Sequence, residues 1–282
     1  THHGSDYYMS AKVISVRTNG TEMLNGQNLK GYYLPLGATN IMTTGHEYDD
    51  AFVVWDWTRV PGTTAVANQS TADLRWYLFG SNQFGGGVSN AHNGVMAYEH
   101  AYQGVEARKA YFFMGDAMVC MGSGIKAART QEVRTSVNQC LANGEVTYGL
   151  SGHTYQLTNN LSDKNIDWAY HDNVGYIFPQ NESVTLRKAK QTGAWRELEV
   201  TASDKPVTKE IFSLWVSHGT TPQHEDYCYI IMPDKPLSYF TDKKFENEIK
   251  IIVNSEQIQA ISNENKSCLL YTSPSPRDKR QS

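Results

Sequence analysis

Seven consecutive residues, Glu22 to Asn28, hold one carboxylate and three amides: Glu22, Asn25, Gln27 and Asn28, with Gly20 and Gly26 alongside. A carboxylate can take part in proton transfer or hold a cation, and amides hydrogen-bond a polar ligand. A simple reversal between two apolar segments needs fewer polar groups than this. Asn and Gly are also good turn formers, so spacing alone leaves a bland turn and a working site both open.

Other candidates are weaker. His46, Glu47, Asp49, Asp50 and Asp56 invite a metal reading, because hard cations take clustered carboxylates. His171, His218 and His224 lie on or beside strand patterns with no partner at a diagnostic interval, and read as packing or surface histidines. Gly85-Gly86-Gly87 could cradle a phosphate, but no helix start follows and no Lys-Ser/Thr completes the motif, so a tight turn is expected there. Ser123 in Gly-Ser-Gly is not a hydrolase nucleophile elbow, which needs G-x-S-x-G between a strand and a helix.

The elements that must position these residues read as strands. Tyr7 to Val16 (YYMSAKVISV), Gly31 to Leu36, Thr39 to Met42 and Arg75 to Phe79 have strand composition. Lys109 to Met114 (KAYFFM) and Ala117 to Met121 (AMVCM) flank Gly115-Asp116, the signature of an antiparallel hairpin buried on both faces. Further strands are expected at Glu132–Cys140, Trp168–Phe178 with a break at Asp172-Asn173, Ser183–Lys188, Ile211–His218, Tyr227–Met232 and Lys250–Val253. No window shows sustained 3.6-residue periodicity. Many strands punctuated by Gly, Asn and Pro predict an all-β antiparallel sandwich.

Composition narrows the function classes. The 282 residues are 40% hydrophobic and 19% charged, with 17 Tyr and 6 Trp, enough for a sizeable core and for flat, sugar-facing surfaces. No run of 18 apolar residues predicts a membrane span. The chain starts at Thr1, not Met, so the lack of a signal sequence says nothing about the intact protein. Residues 268–282 begin CLLYTSPSPRD, which matches the translation of a transposon end plus sequencing adaptor; they are set aside as an artefact. Without that tail's three basic and one acidic side chains, the net charge moves from −4 to −6. This disfavours a nucleic-acid partner, and a polyanionic sugar chain would need a local basic patch. Cys120, Cys140 and Cys228 then remain, too few and too scattered for a disulfide framework or a metal site. Cys120 and Cys228 read as small core residues.

Residues 17–64 carry a more specific pattern. Arg17, Glu22, Asn25-Gly26, Asn28, Gly31, Tyr33 and Gly37 to Asn40 lead into Trp55-Asp56-Trp57 and Pro61 to Thr64. This order resembles the opening of the central β-domain of polysaccharide lyase family 8, which contains chondroitin AC, hyaluronate and xanthan lyases. The KAYFFM–AMVCMGSGI hairpin resembles the same domain, and the likeness runs to about Ala260. GYYLPLGATN and WDWTRVPGTT look closer to the chondroitin AC branch.

The resemblance implies a galactose-mutarotase-like super-sandwich over residues 1–267, truncated at both ends. An N-terminal α-helical toroid and a smaller C-terminal β-domain would be missing. It further implies cleavage of an acidic polysaccharide (a glycosaminoglycan) by β-elimination, by a secreted or periplasmic bacterial enzyme. Glu22 falls on the Glu of a His-Tyr-Arg-Glu tetrad whose other members, with an assisting Asn, belong to the toroid; Asn25, Arg17 and Asn28 are the expected substrate-binding residues. Some family members hold calcium near the Trp-acid-Trp segment. Here Asp56 keeps the first acid, but Thr58 replaces the second and Ala67-Asn68 the later pair, so no metal and no cofactor are expected. The competing readings are a non-catalytic carbohydrate-binding or structural β-sandwich, and a xanthan-type lyase of the same fold.

Overall fold

A computed structural model describes residues 1–69 and 77–263. The adaptor-like tail, the first two residues of the expected Arg75–Phe79 strand and the side chains of the next two lie outside that description. The fold is nearly all β, and its two large sheets are antiparallel throughout. The larger has nine strands in the order His153–Gln156, Val146–Leu150, Trp168–His171, Val174–Ile177, Glu225–Pro233, Ala117–Ala127, Val105–Met114, Gly94–Tyr102 and Gly85–Ser89. The smaller has five: Leu161–Lys164, Val184–Gly193, Val207–Thr220, Glu132–Leu141 and Thr64–Val66.

Two layers of apolar side chains explain why the central strands read as continuous hydrophobic runs. Tyr111, Phe113, Cys120 and Tyr229 of the large sheet face Val133, Leu186, Phe212 and Leu214 of the small one. The alternate residues Phe112, Met114, Val119 and Met121 point the other way. There they are covered by Phe240 of the short helix Leu237–Thr241 and by Ile261 of the hairpin Ile249–Asn254/Gln259–Asn263. A strand buried on both faces loses the polar–apolar alternation of a half-exposed one. Among the described residues, no helix is long and apolar enough to cross a membrane.

The sequence motifs meet in the space between the sheets. Lys109 is fully buried, and its Nζ donates to the Gly62 carbonyl at 2.7 Å and to Thr64 Oγ1 at 3.0 Å. The Tyr111 hydroxyl donates to the carbonyls of Gly37 at 2.9 Å and Gly62 at 3.2 Å. A Cβ at Gly37 would sit 2.1 Å from that hydroxyl, and its φ of +84° is left-handed, so both space and backbone require glycine. The polar chain continues from Thr64 to Thr135 Oγ1 and on to His218 Nε2, each step 2.8 Å.

Three expectations need correction. Gly31–Leu36 is not a strand: Gly31–Tyr33 forms a 3-10 turn, and Gly31, Tyr32 and Tyr33 are all buried, so their apolar character reflects burial on every side and not a pleat. The Tyr7–Val16 run pairs as a strand only over Tyr8–Ala11, which lies against Thr39–Met42. The glycines at 85–87 make no tight turn; they form the edge strand Gly85–Ser89, and the chain reverses at residues 90–93. A Cβ on Gly85 or Gly87 would lie 2.6 Å and 2.3 Å from the carbonyls of Ile14 and Val95. Those glycines serve close backbone approach.

Candidate functional site

Glu22 ends the short strand Asn19–Glu22, which pairs with Tyr77–Phe79 so that Glu22 faces Tyr77 and Asn19 faces Phe79. The loop that follows turns through three left-handed residues, Asn25 (φ 54°), Gly26 (φ 75°) and Asn28 (φ 54°). Asn and Gly are the residue types that enter this region most readily. Asn28 closes the loop. Its Nδ2 donates to the Glu22 carbonyl at 2.9 Å and to Thr21 Oγ1 at 3.0 Å. A Cβ on Gly31 would lie 1.8 Å from Asn28 Oδ1, so the glycine three residues on makes room for the clamp.

The loop is docked as well as closed. The Val200 N–H donates to the Gly26 carbonyl at 2.9 Å, and the Leu29 N–H to the Leu198 carbonyl at 3.0 Å. Lys30 pairs with Glu197. Arg17, just before the strand, donates from Nη2 to the Gly85 carbonyl at 3.0 Å and so ties the segment to the glycine-rich edge strand. A polar loop is thus anchored on two sides by backbone groups.

Within this frame the four sequence-selected residues differ in what they leave free. Asn28 commits its NH₂ group to the loop, and Arg17 is part of the loop's fastening. Glu22 and Asn25 are exposed, and neither side chain makes a hydrogen bond or ion pair among the described residues. Phe79, 59% exposed, lies across the ribbon from Asn19 and gives this surface an aromatic neighbour. Chemically, the corner presents a solvent-facing carboxylate and an amide on an anchored backbone. It can accept hydrogen bonds from a sugar, or hold a cation brought to it. A lone exposed carboxylate is a poor base for a carbon acid, so proton abstraction needs groups beyond this corner.

The other candidates resolve into structural roles. Glu47 is buried, and its carboxylate accepts from the N–H groups of Thr43, Thr44 and Gly45 and from two threonine hydroxyls. Burial pushes its pKa up, but those donors outweigh burial and hold it below the usual range. His46 pairs with Asp49 at the surface, 2.8 Å apart. Asp56 accepts from Thr58 and pairs with Arg59 at 2.7 Å; burial is opposed by the Arg59 charge, and the net shift is downward. These acids are separate, and no group of three or more metal-ligating side chains occurs among the described residues.

His171 stacks on Phe212 with ring centroids 4.3 Å apart, and burial lowers its pKa to about 4. His218 accepts or donates at Thr135 inside the core, and burial lowers it to about 3. His224 is exposed and pairs with Glu256. The buried Lys109 escaped sequence reasoning; its signal was a charge at the head of a strand apolar on both faces.

Comparison with known proteins identifies relatives of the whole fold. Residues 1–244 match the family model described as polysaccharide lyase family 8, super-sandwich domain. A chondroitinase AC of Pedobacter heparinus is 35% identical over 262 residues, covering 90% of this chain and 37% of that protein. A hyaluronate lyase of Thermasporomyces composti is 26% identical, covering 93% of this chain and 35% of its own length. A chondroitinase AC lyase, solved in complex with oligosaccharides, superposes with a TM-score of 0.86 at 32% identity, over 93% of this chain and 39% of that one. The chain therefore spans little more than a third of the length of these relatives.

Proposed function

The chain belongs to polysaccharide lyase family 8, and from that premise we propose that it is the central domain of a glycosaminoglycan lyase acting on chondroitin- or hyaluronan-type chains. The reaction is β-elimination. A base removes the proton at C5 of the uronate, the C4–O glycosidic bond breaks with its electron pair leaving on oxygen, and a proton is delivered to that oxygen. A C4–C5 double bond remains in the uronate. The step needs the uronate carboxylate neutralised, so that negative charge can build up beside it.

The observation that carries the reading is the exposed carboxylate of Glu22, without a partner among the described residues, on a backbone that the Asn28 clamp holds in place. Glu22 orients and holds the cationic groups of the proton-transfer machinery, and Asn25 binds the sugar at the cleft edge. Arg17 and Asn28 contribute by shaping the loop that carries both. The base, the acid and the group that neutralises the uronate carboxylate come from a His, a Tyr and an Arg, assisted by an Asn, of an α-helical toroid in the intact protein. A polymer too large to cross a cytoplasmic membrane places the enzyme outside it, secreted or periplasmic.

The test is release of the conjugated unsaturated uronate, read by its ultraviolet absorbance. The full-length protein should generate it from chondroitin or hyaluronan, and residues 1–282 alone should not. Product from xanthan but from neither glycosaminoglycan would replace the substrate assignment. Binding without product from the full-length protein would make this a carbohydrate-binding sandwich instead.

A further inference from the structure

The outer face of the five-stranded sheet gathers three guanidinium groups around one indole. Trp215 pairs across to Thr185 on one side and Ser136 on the other. Arg187 lies two residues along from Thr185, and Arg134 two residues before Ser136, so strand alternation places all three side chains on one face. The Arg134 guanidinium carbon lies 5.1 Å from the Trp215 ring centroid. That of Arg59, from the overlying loop, lies 4.6 Å from it.

Two of these cations have counter-ions. Arg59 pairs with Asp56 at 2.7 Å and Arg134 with Glu132 at 2.6 Å. Arg187 makes no hydrogen bond or ion pair among the described residues, and its Nε is buried without a partner. An unpaired charged donor away from water is unfavourable, and an anion would satisfy it.

The surroundings are built for one. Arg187, Arg134 and Trp215 line a cleft of about 280 Å³ together with Asn160 and Ser162, at the start of the edge strand Leu161–Lys164. Asn160 spends its Oδ1 on the Lys188 N–H, which leaves its NH₂ donors unspent, and the Ser162 hydroxyl has no partner among the described residues. Two carboxylates also line the cleft: Glu132 is spent on Arg134 and on the Ser217 hydroxyl, each at 2.6 Å, and Asp163 accepts from Ser183 at 3.3 Å and forms no ion pair among the described residues. The cleft thus offers a forked cation and two neutral donors. That combination suits a sulfate ester or carboxylate.

We propose that Arg187, with Arg134, Asn160 and Ser162, forms an anion subsite for sulfate or carboxylate groups of the acidic polysaccharide, remote from Glu22. The Glu22 loop docks at residues 198–200, beyond the Gly193 end of the strand that carries Arg187. Arg187 lies six residues back from Gly193, roughly 20 Å along that strand. A chain held at both places would be retained between cleavage events. The subsite supplies the local basic patch that a protein of net negative charge needs for a polyanion. It rests on the acidic-polysaccharide reading, but not on Glu22 being catalytic.

The 282-residue chain is titrated calorimetrically with sulfated chondroitin oligosaccharide, unsulfated chondroitin oligosaccharide and inorganic sulfate. The wild type should bind at least one oligosaccharide, more weakly as salt rises. Arg187→Met should lose about tenfold or more in affinity, the scale of a charge-assisted hydrogen bond. Arg187→Lys, which keeps the charge but not the fork, should recover part of it. Preference for the sulfated ligand identifies the sulfate ester as the group held, and equal affinity identifies the carboxylate. Oligosaccharide binding that Arg187→Met leaves unchanged, in a variant of unaltered denaturation midpoint, would overturn the subsite. Binding of inorganic sulfate alone, or of nothing, would overturn it too. None of these results bears on lyase activity, which reports on Glu22 separately.

Discussion

Replacing Lys109 with Met tests the electrostatics of the inter-sheet core. Lys109 is wholly buried, and desolvation lowers its pKa from 10.5 to about 7. Below pH 7 the amine is protonated in both the folded and unfolded chain, and the folded state bears the full cost of the buried charge. Between about pH 7 and 10.5 the unfolded chain holds a proton that the folded chain has released, so stability rises with pH in that window. For a shift of this size the rise between pH 7 and 8.5 is about 1.5 kcal/mol. Lys109→Met removes the titration and also removes one hydrogen bond each from Gly62 O and Thr64 Oγ1, which keep Tyr111 and Thr135 as partners. At pH 7 those losses, about 0.5–1.5 kcal/mol for each bond, oppose the relief of burying no charge. The diagnostic is therefore the slope and not the stability at one pH. Urea unfolding followed by tryptophan fluorescence at pH 7.0, 7.75 and 8.5 gives it for both proteins. The buried thiols, with Cys120 pushed up to about 12, lower stability with rising pH equally in both and cancel in the difference. A Lys109→Met slope equal to the wild type's would show that its two acceptors keep the amine charged through this range, and would refute the reasoning.

Acid should destabilise the fold through the buried histidines. His218, lowered to about 3, contributes stability that is full above pH 6.5 and lost as pH falls toward 3. His218→Gln should therefore remove about 1.5–2 kcal/mol of pH dependence between pH 6.5 and 5, measured by the same unfolding assay. Asn28→Ala strips the loop of both clamp bonds and puts alanine at φ 54°; unfolding should show a loss of about 1–2 kcal/mol. Asn28→Gly should lose less, because only the bonds and not the backbone conformation are affected. In the full-length enzyme Asn25→Ala should lower kcat about tenfold, the scale of lost substrate orientation. An unchanged rate would remove Asn25 from the site.

The sandwich was legible because its central strands are long, apolar and separated by Gly, Asn and Pro, and the Lys109–Met121 hairpin falls where its Gly-Asp turn predicts. Legibility failed where full burial coincided with a turn. Gly31–Tyr33 looks like a strand because all its side chains are inside, although its backbone is a tight turn. It failed again where strands are polar: His153–Gln156 is exposed at every residue, and is held to Val146–Leu150 by its backbone ladder and by the Tyr148–Tyr155 ring stack, with centroids 5.4 Å apart. At the candidate site, the polar loop and its left-handed positions were readable from Asn, Gly and their spacing. That Asn28 clamps while Glu22 stays free required coordinates. The arginines at 59, 134 and 187 are too far apart in sequence to suggest a cluster; only strand register brings two of them, with the overlying loop's Arg59, to Trp215.

The most direct measurement is the turnover of the full-length enzyme carrying Glu22→Gln, a change that keeps the side chain's size and removes its charge. The expected result is a kcat lower by roughly two to four orders of magnitude on the best glycosaminoglycan substrate. The unfolding midpoint of residues 1–282 carrying the same change should match the wild type's, because the Glu22 carboxylate holds nothing in place among the described residues. A Glu22→Gln enzyme that releases unsaturated uronate at the wild-type rate would make Glu22 a turn residue and contradict the site.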